Sequence, residues 1–282
     1  MKTIQKTAIA LAASGLFSTA AFAQTAPAAA PEVSPITANV TVTNDYRYRG
    51  ISQTNYQPAI QGGFDYAHES GLYIGNWNSS INWISNTTGG GVRAPLEMDF
   101  YGGFKKELIG EGFASDFGVL QYYYNQTGTN YNGNMVNPNT TELYAAQNFT
   151  FGPVSGFVKL NYALTNIFGI PSSTGSYYPD LTANYDTGIW GITLNGHIGY
   201  QYVAGQPGSQ GGISNTNKNI SYTDFKLGAT KDFGGGLSLS AAYVSTNANP
   251  SWWSTYTGGT NGGTANGSAG RPGAVVALTK TF

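Results

Sequence analysis

The sequence predicts an all-β protein built as a transmembrane, antiparallel, up-and-down β-barrel of about twelve strands. Segments of about ten residues alternate apolar and polar side chains, which is the length and pattern of a tilted strand in a bilayer. The connections between these segments alternate between short turns and long loops. The composition agrees, because 20 Tyr, 14 Phe and 39 Gly accompany only 10% charged residues, a balance typical of turn-rich β-structure.

The N-terminal part of the chain has the pattern of a targeting sequence. Lys2 and Lys6 precede an apolar run over residues 7–20, and Ala21-Phe22-Ala23 is a small-x-small cleavage site, as in a secretory signal peptide. A transmembrane anchor is the alternative, and it is disfavoured because the run is too short to span a bilayer. The predicted organisation is a signal peptide at 1–23, an Ala/Pro-rich periplasmic linker at 24–36 and the barrel at 37–282.

Charge, cysteine content and motifs exclude several classes of protein. Lys2 and Lys6 are two of the 13 basic residues, so the mature chain keeps 11 against 14 acidic residues, a net charge of −3. That balance is too weak to indicate a nucleic-acid partner. The chain has no Cys, so no disulfide can brace a secreted fold. It has no zinc-protease, nucleophile-elbow or phosphate-loop motif, so we expect neither a metal site nor a cofactor.

Twelve segments of the sequence have strand character. They cover residues 39–49, 58–68, 72–79, 96–106, 113–124, 141–150, 154–163, 177–185, 189–203, 222–231, 237–245 and 273–282. In the first, Val40 and Val42 share one face with Tyr46 and Tyr48, and charged residues occupy the other. Successive side chains of a strand point to opposite faces, so we expect the apolar face to meet lipid and the polar face to line the interior.

The same alternation supports the later strands. The segment 189–203 is the clearest, with Ile192 and Leu194 on one face and Asn195 and His197 on the other. The outward residues predicted in the other clear segments include, in chain order, Ile60, Phe64, Tyr66, Leu96, Met98, Phe100, Phe104, Val154, Val158, Leu160 and Tyr162.

The connections fall into two classes that alternate along the chain. The short turns are residues 69–71, 107–112, 151–153, 186–188 and 232–236, and all contain Gly. The long loops are residues 51–57, 80–95, 125–140, 164–176, 204–221 and 246–272. Bacterial outer-membrane barrels have short periplasmic turns and longer extracellular loops. A soluble sandwich, the alternative, does not require this alternation.

Aromatic residues concentrate at the predicted strand ends. At the outer ends lie Tyr46, Tyr48, Tyr162, Tyr200, Tyr202 and Tyr243, and at the inner ends Tyr66, Phe104, Trp190 and Phe282. Two aromatic girdles around an apolar band are typical of proteins that span a bilayer. The closing strand ends at Phe282, which resembles the C-terminal signal that the barrel-assembly machinery reads.

Charged and polar residues on the inward face are the candidate pore lining. They are Asp45, Arg47, Arg49, Asp65, Glu97, Asp99, Lys105, Lys159, His197, Asp224 and Lys226. The candidate residues of the extracellular mouth are Arg93, Lys218 and Arg271, because the long loops contain no acid and these bases make the mouth weakly positive. In one interpretation Arg47 and Arg49 select solutes at a constriction. In the other, the charges form salt bridges that brace a filled barrel.

Several blocks of sequence resemble the TorF family of porins from proteobacteria. They are Asn39 through Thr54, Gln61 through Gly75, Glu-Met-Asp-Phe-Tyr-Gly-Gly-Phe at 97–104, Gly-His-Ile-Gly-Tyr at 196–200, Tyr-Thr-Asp-Phe-Lys at 222–226 and Lys-Thr-Phe at 280–282. The resemblance covers nearly all of the mature chain. It implies an outer-membrane barrel that acts as a porin, and it supplies no binding residues.

These observations predict an outer-membrane channel for passive diffusion of small polar solutes, with a weak preference for anions. The expected partners are outer-membrane lipid, lipopolysaccharide, the barrel-assembly machinery and the solutes themselves. A non-conducting structural or adhesion barrel with a filled lumen is the main alternative. A phospholipase-type enzyme is disfavoured, because His68 is the one candidate for a catalytic group on the lipid face and no Ser lies at a matching lipid-facing height near it.

Overall fold

The protein folds as a closed antiparallel β-barrel of twelve strands. The computed structural model describes residues 34–129, 131, 135–204, 220–250, 252–256 and 265–282. The strands are β1 (Ile36–Thr43), β2 (Arg47–Tyr48), β3 (Ile51–Ser52), β4 (Ala59–Ala67), β5 (Leu72–Ser80), β6 (Leu96–Gly110), β7 (Phe113–Tyr124), β8 (Thr140–Phe151), β9 (Val154–Ala163), β10 (Tyr177–Asp186), β11 (Ile192–Gln201), β12 (Tyr222–Asp232), β13 (Leu237–Thr246), β14 (Ser254–Tyr256), β15 (Ala265–Ser268) and β16 (Gly273–Thr281). The short helix α1 (Trp83–Thr87) follows β5.

The barrel closes where its first and last strands meet. Each wall strand pairs with its neighbours in the ring β1-β16-β13-β12-β11-β10-β9-β8-β7-β6-β5-β4. β1 pairs with β16 from Asn39 opposite Thr281 to Thr43 opposite Ala277. Closure leaves no unpaired strand edge in the wall. β2 pairs with β3, and β14 with β15, as separate two-stranded ribbons outside the wall.

The predicted division between outward apolar and inward polar faces is confirmed. In β1, Val42 is 53% exposed, whereas Thr41 and Thr43 beside it are buried. Across the wall, Ile60 and Leu227 are likewise exposed on the outer surface. An apolar surface that surrounds a whole barrel needs an apolar solvent around it, which a bilayer provides.

The twelve predicted strand segments each correspond to one wall strand. The wall begins at Ile36, and the segment predicted over 189–203 is strand only over Ile192–Gln201. Trp190 lies before it in a turn with a φ of 53°. It is nevertheless exposed, as are Tyr162 and Tyr243 at the other end of the barrel, so aromatic residues do flank the apolar band.

The prediction for the first strand is wrong beyond Thr43. Asn44 ends β1, because its side chain donates to the carbonyl of Ala274 at 3.1 Å and accepts from the amide of Val276 at 2.7 Å, replacing the ladder. The chain then leaves the wall and enters the lumen. Tyr46, predicted in the outer aromatic girdle, is therefore 2% exposed inside the barrel. Tyr48 also lies inside, packed on other luminal rings.

None of the helices in the described ranges is long and apolar enough to cross a membrane.

The depth of an outward residue predicts the cost of placing a charge there. We expect Leu227→Lys, in the middle of β12, to lower the free energy of unfolding in phosphocholine vesicles by about 2–4 kcal/mol, because a bilayer midplane penalises charge. Leu237→Lys, at the end of β13, is the matched control and should cost about 0–1 kcal/mol. Urea titrations in vesicles measure both, and equal costs would contradict a bilayer around this wall.

Candidate functional site

The lumen of the barrel contains a folded stretch of chain as well as side chains from the wall. We name residues 44–57, which join β1 to β4, the luminal segment. Its two short strands form a hairpin, with Arg47 opposite Ser52 and Tyr48 opposite Ile51. Its end is tied to the loop after β5, since the amide of Asn82 donates to the carbonyl of Gln53 at 3.1 Å.

Arg49 carries the luminal segment to the far side of the barrel. Its guanidinium binds a carboxylate oxygen of Glu142 on β8 at 2.7 Å and the amide oxygen of Gln201 on β11 at 2.6 Å. It also lies over the rings of Tyr178 and Tyr48, at 4.3 and 4.8 Å from their centroids. In the ring of twelve strands, β8 and β11 lie on the opposite side from β1. The segment therefore crosses the lumen and is anchored at both ends.

Backbone conformation helps the segment reach this position. Arg49 has a φ of 45° and Gly50 a φ of 76°, in the left-handed region that only Gly adopts without strain. A side chain at Gly50 would collide with Thr246 and Asp224 of the wall. The contacts of Arg49 stabilise a turn that the backbone alone disfavours.

Arg47 is held within the luminal segment and beside the wall. It pairs with the Asp45 carboxylate and donates to the carbonyls of Gly50 and Arg271, both at 3.0 Å. Asp45 also accepts from the hydroxyl of Ser52 at 2.6 Å. The structure thus places both predicted arginines in the lumen, and it places each in a network of fixed partners.

A second polar group lies against β6. The hydroxyl of Tyr46 donates to Glu97 at 2.6 Å, and its ring packs on Trp77. Asp99, two residues further along β6, is fully buried. Neither oxygen of its carboxylate has a hydrogen-bond partner in the described part of the chain.

The half of the lumen nearer the short turns contains most of the remaining charges. The hydroxyl of Tyr73 donates to Asp116 at 2.6 Å, and Lys159 lies 4.4 Å from the ring centroid of Tyr144. The Lys105 ammonium is buried without a hydrogen-bond partner among the described residues. Nearby, Asp65 accepts from a tyrosine hydroxyl of β6.

His197 is clamped between two carboxylates. Its Nδ1 lies 3.0 Å from Asp180 on β10, and its Nε2 lies 2.9 Å from Asp224 on β12. The hydroxyl of Tyr178 donates to the same Asp224 at 2.8 Å. Lys226 interacts electrostatically with both of these acids. All the predicted pore-lining residues therefore lie in the lumen, distributed over the separate groups described above rather than in one cluster.

Sequence reasoning missed three acids of the lumen: Asp116 on β7, Glu142 on β8 and Asp180 on β10. Each lies on a segment of weaker alternation. The signal was present, because Phe117 and Leu143, their neighbours in sequence, point outward. With them, the described lumen holds eight acids against five Lys and Arg; the acids are Asp45, Asp65, Glu97, Asp99, Asp116, Glu142, Asp180 and Asp224.

Two of the three predicted mouth residues, Arg93 and Arg271, lie in the described part of the chain. Arg93 is exposed, and its backbone bridges to Thr127. Arg271 lies with its guanidinium 3.8 Å from the ring centroid of Tyr56. Lys218 lies outside the described residues.

His68 lies in the turn after β4, at the edge of the barrel. Its Nδ1 is 2.8 Å from the hydroxyl of Ser70 and accepts from the Ser70 amide at 3.2 Å. Ser70 lies beside His68 because the turn brings together residues two apart, and it lies in the turn rather than on the lipid-facing wall. The contact is local to that turn, whose backbone is closed by the Gly71 amide on the His68 carbonyl at 2.9 Å.

Comparisons with known proteins were made on sequence and on structure. The family model "Bacterial protein of unknown function (Gcw_chp)" matches residues 26–282. No curated protein matches the sequence. The resemblance to the TorF family stays a prediction, since neither result tests it.

Solved porins share the barrel. The NanC porin aligns with a TM-score of 0.52 at 9% identity, over 87% of this chain and 98% of that one. The KdgM porin aligns with a TM-score of 0.48 at 6% identity, over 88% and 97%. OprD from Pseudomonas aeruginosa aligns with a TM-score of 0.41 at 11% identity, over 88% of this chain and 66% of that one. At 9% identity the likeness to NanC shows the fold alone.

The pair of Arg49 and Glu142 predicts a strong energetic coupling. We expect Arg49→Ala or Glu142→Ala alone to lower the free energy of unfolding by about 3–5 kcal/mol, because each leaves a buried charge without its partner. The double variant should cost clearly less than the sum of the two. Urea unfolding in vesicles measures all three, and additive costs would show that the two side chains do not interact.

Proposed function

We propose that this chain, which belongs to the Gcw_chp family of bacterial proteins, is an outer-membrane channel for passive diffusion of small polar solutes. The observation that carries the proposal is the presence of buried ionisable groups in the lumen that have no hydrogen-bond partner among the described protein atoms. Both oxygens of Asp99 and the ammonium of Lys105 are in this state.

Such charges imply water in the lumen. An ion transferred from water to a dry interior without a partner loses several kcal/mol of hydration. Charges inside membrane barrels therefore pair with one another or face water. Asp99 and Lys105 lie on the inward face of the same strand, β6, so hydration at both extends along the lumen. A continuous aqueous path is what passive diffusion requires.

The passage is narrow. About eight strands leave room for side chains alone, and about sixteen leave an open channel, so twelve strands are intermediate. Here the luminal segment occupies part of the cross-section, since Arg49 reaches from the β1 side to β8 and β11. We therefore infer that the solutes are small and that the segment forms the constriction.

The exterior supports a place in the outer membrane. Its apolar band would contact lipid, and loops at the outer end would contact lipopolysaccharide. Phe282, whose amide donates to the Ala38 carbonyl at 2.9 Å, is exposed at the inner rim, where barrel-assembly machinery could read it. The signal peptide remains a prediction from sequence.

The preference for anions predicted from the mouth is opposed by the lumen. Arg93 and Arg271 are exposed. At physiological ionic strength, salt screens the field of an exposed charge beyond a distance of about 8 Å. The lumen carries three more acids than Lys and Arg, and low-dielectric walls strengthen their field. We now expect a weak preference for cations.

A non-conducting barrel is the second candidate, and the anchoring of Arg49 favours it. A segment that is held on both sides of the lumen stabilises the barrel, and it also obstructs the lumen. In that case the unpartnered charges would face trapped water.

Conductance in planar bilayers separates the two candidates. We expect discrete current steps from the purified protein, and larger steps from Arg49→Ala/Glu142→Ala, because the segment is released and no charge is left unpaired. Lys106→Ala/Glu107→Ala, at the exposed end of β6, is the matched control and should leave the steps unchanged. No current from the unmodified protein in any salt would contradict the channel and favour the filled barrel.

Reversal potentials under a salt gradient test the preference for cations. We expect Asp99→Asn, nearly isosteric, to shift the reversal potential toward anions, since it removes a luminal negative charge. Glu111→Gln removes the same charge from an exposed turn and should have little effect. An anion-selective reversal potential from the unmodified protein would contradict this expectation, and it would indicate that the basic residues of the mouth determine the ion selectivity.

A further inference from the structure

A cavity of about 140 Å³ lies between the luminal segment and the outer loops. Most of its wall comes from the luminal segment and from four loops, which follow β5, β7, β9 and β13. Tyr48 and Gln201, which both contact Arg49, form part of its lining. The cavity therefore borders the constriction on its outer side.

The lining of this cavity is aromatic and uncharged. Seven aromatic residues contribute rings to the wall, among them Trp83, Phe168, Tyr222, Trp252 and Trp253. No Asp, Glu, Lys, Arg or His is present among the described residues that line it. The charged groups of the lumen begin immediately beyond this lining, at Arg49. A cavity without charge beside so many charges selects an uncharged ligand, because a desolvated ion would find no counter-charge here.

The ring surfaces are held in place by their own contacts. Trp253 donates from Nε1 to the Ile220 carbonyl at 3.0 Å and packs edge-on against Tyr222. Phe168 packs against Tyr48 and Tyr122. Walls that are already ordered lower the entropic cost of binding a ligand.

The polar groups of the lining are available for hydrogen bonds. Gln53 and Asn86 line the cavity, and their side-chain amides donate to the carbonyl of Ile51 and to Asn82. Their side-chain carbonyl oxygens accept no hydrogen bond from any described residue. Free acceptors call for a ligand with hydroxyl donors. A hydrocarbon ring would leave them unsatisfied.

Size completes the assignment. An apolar cavity of about 150 Å³ holds one benzene ring, so this cavity of about 140 Å³ has room for the ring of one sugar unit, whose substituents would extend toward its open side. We propose that it is a binding site for one uncharged, hydroxylated ring, such as a neutral sugar unit, stacked on the aromatic walls and donating hydroxyls to Gln53 and Asn86. The site goes beyond the channel function and does not depend on it, because binding here requires no current.

Tryptophan emission of the purified full-length protein tests the proposal. Three of the five Trp line the cavity, so occupancy should shift the emission. We expect saturable shifts with methyl glucoside or methyl galactoside, in the millimolar range typical of one small uncharged ring. Glucuronate, which has the same ring with a carboxylate, should bind about tenfold or more weakly.

Variants separate the aromatic and polar contributions. Trp252→Ala should weaken glucoside binding about tenfold, whereas Trp190→Ala, in the exposed turn at the other end of the barrel, should not change it. Asn86→Leu should weaken the glucoside about tenfold and leave cyclohexanol binding equal or stronger.

Three results would overturn the proposal. The first is the absence of a saturable emission shift with either glycoside, and the second is glucuronate binding as tight as that of methyl glucoside. The third is cyclohexanol binding to the unmodified protein more tightly than either glycoside. The channel function fails on a different measurement, since a protein without current that binds glycosides would keep the site and lose the channel.

Discussion

Closure of β1 on β16 is the constraint on which the rest of the structure depends. Once Val42 lies opposite Leu278, the ladder fixes which side chains point out around the whole ring, because a slip of one residue would exchange the two faces. The wall then has an apolar exterior and a polar lumen. Every later feature, from the aromatic ends to the buried charges, follows from that division.

The charged groups of the lumen are of two kinds. Some are paired at short range, as Arg49 is with Glu142 and His197 is with two carboxylates. Others, such as Asp99 and Lys105, have no hydrogen-bond partner among the described residues. The first kind braces the barrel, and the second is the basis of the proposal that the lumen is hydrated. A lumen with both kinds would be rigid and hydrated, as the proposed narrow channel requires.

The luminal segment links the constriction to the cavity beside it. Tyr48 and Gln201 contact Arg49 on one side and line the uncharged cavity on the other. In the proposed channel, a solute that enters from the outer side would therefore meet an aromatic, neutral site before it meets the charged lumen. The two environments would impose different requirements on a solute, first the shape of a ring and then charge.

Local alternation was enough to determine the twelve wall strands, the direction of most side chains and the order of short and long connections, because a period of two is a property of neighbouring residues. It also placed the charges predicted on the inward face of the other wall strands inside the barrel, whereas Asp45, Arg47 and Arg49 lie in the lumen because the chain leaves the wall. It could not show that the chain leaves the wall at Asn44, since Tyr46 and Tyr48 continue the same alternation. That turn depends on contacts from Asn44 to residues more than two hundred positions away and from Arg49 to β8 and β11. The pairing of luminal charges and the uncharged cavity likewise join loops and strands distant in sequence, so only the closed ring brings them together.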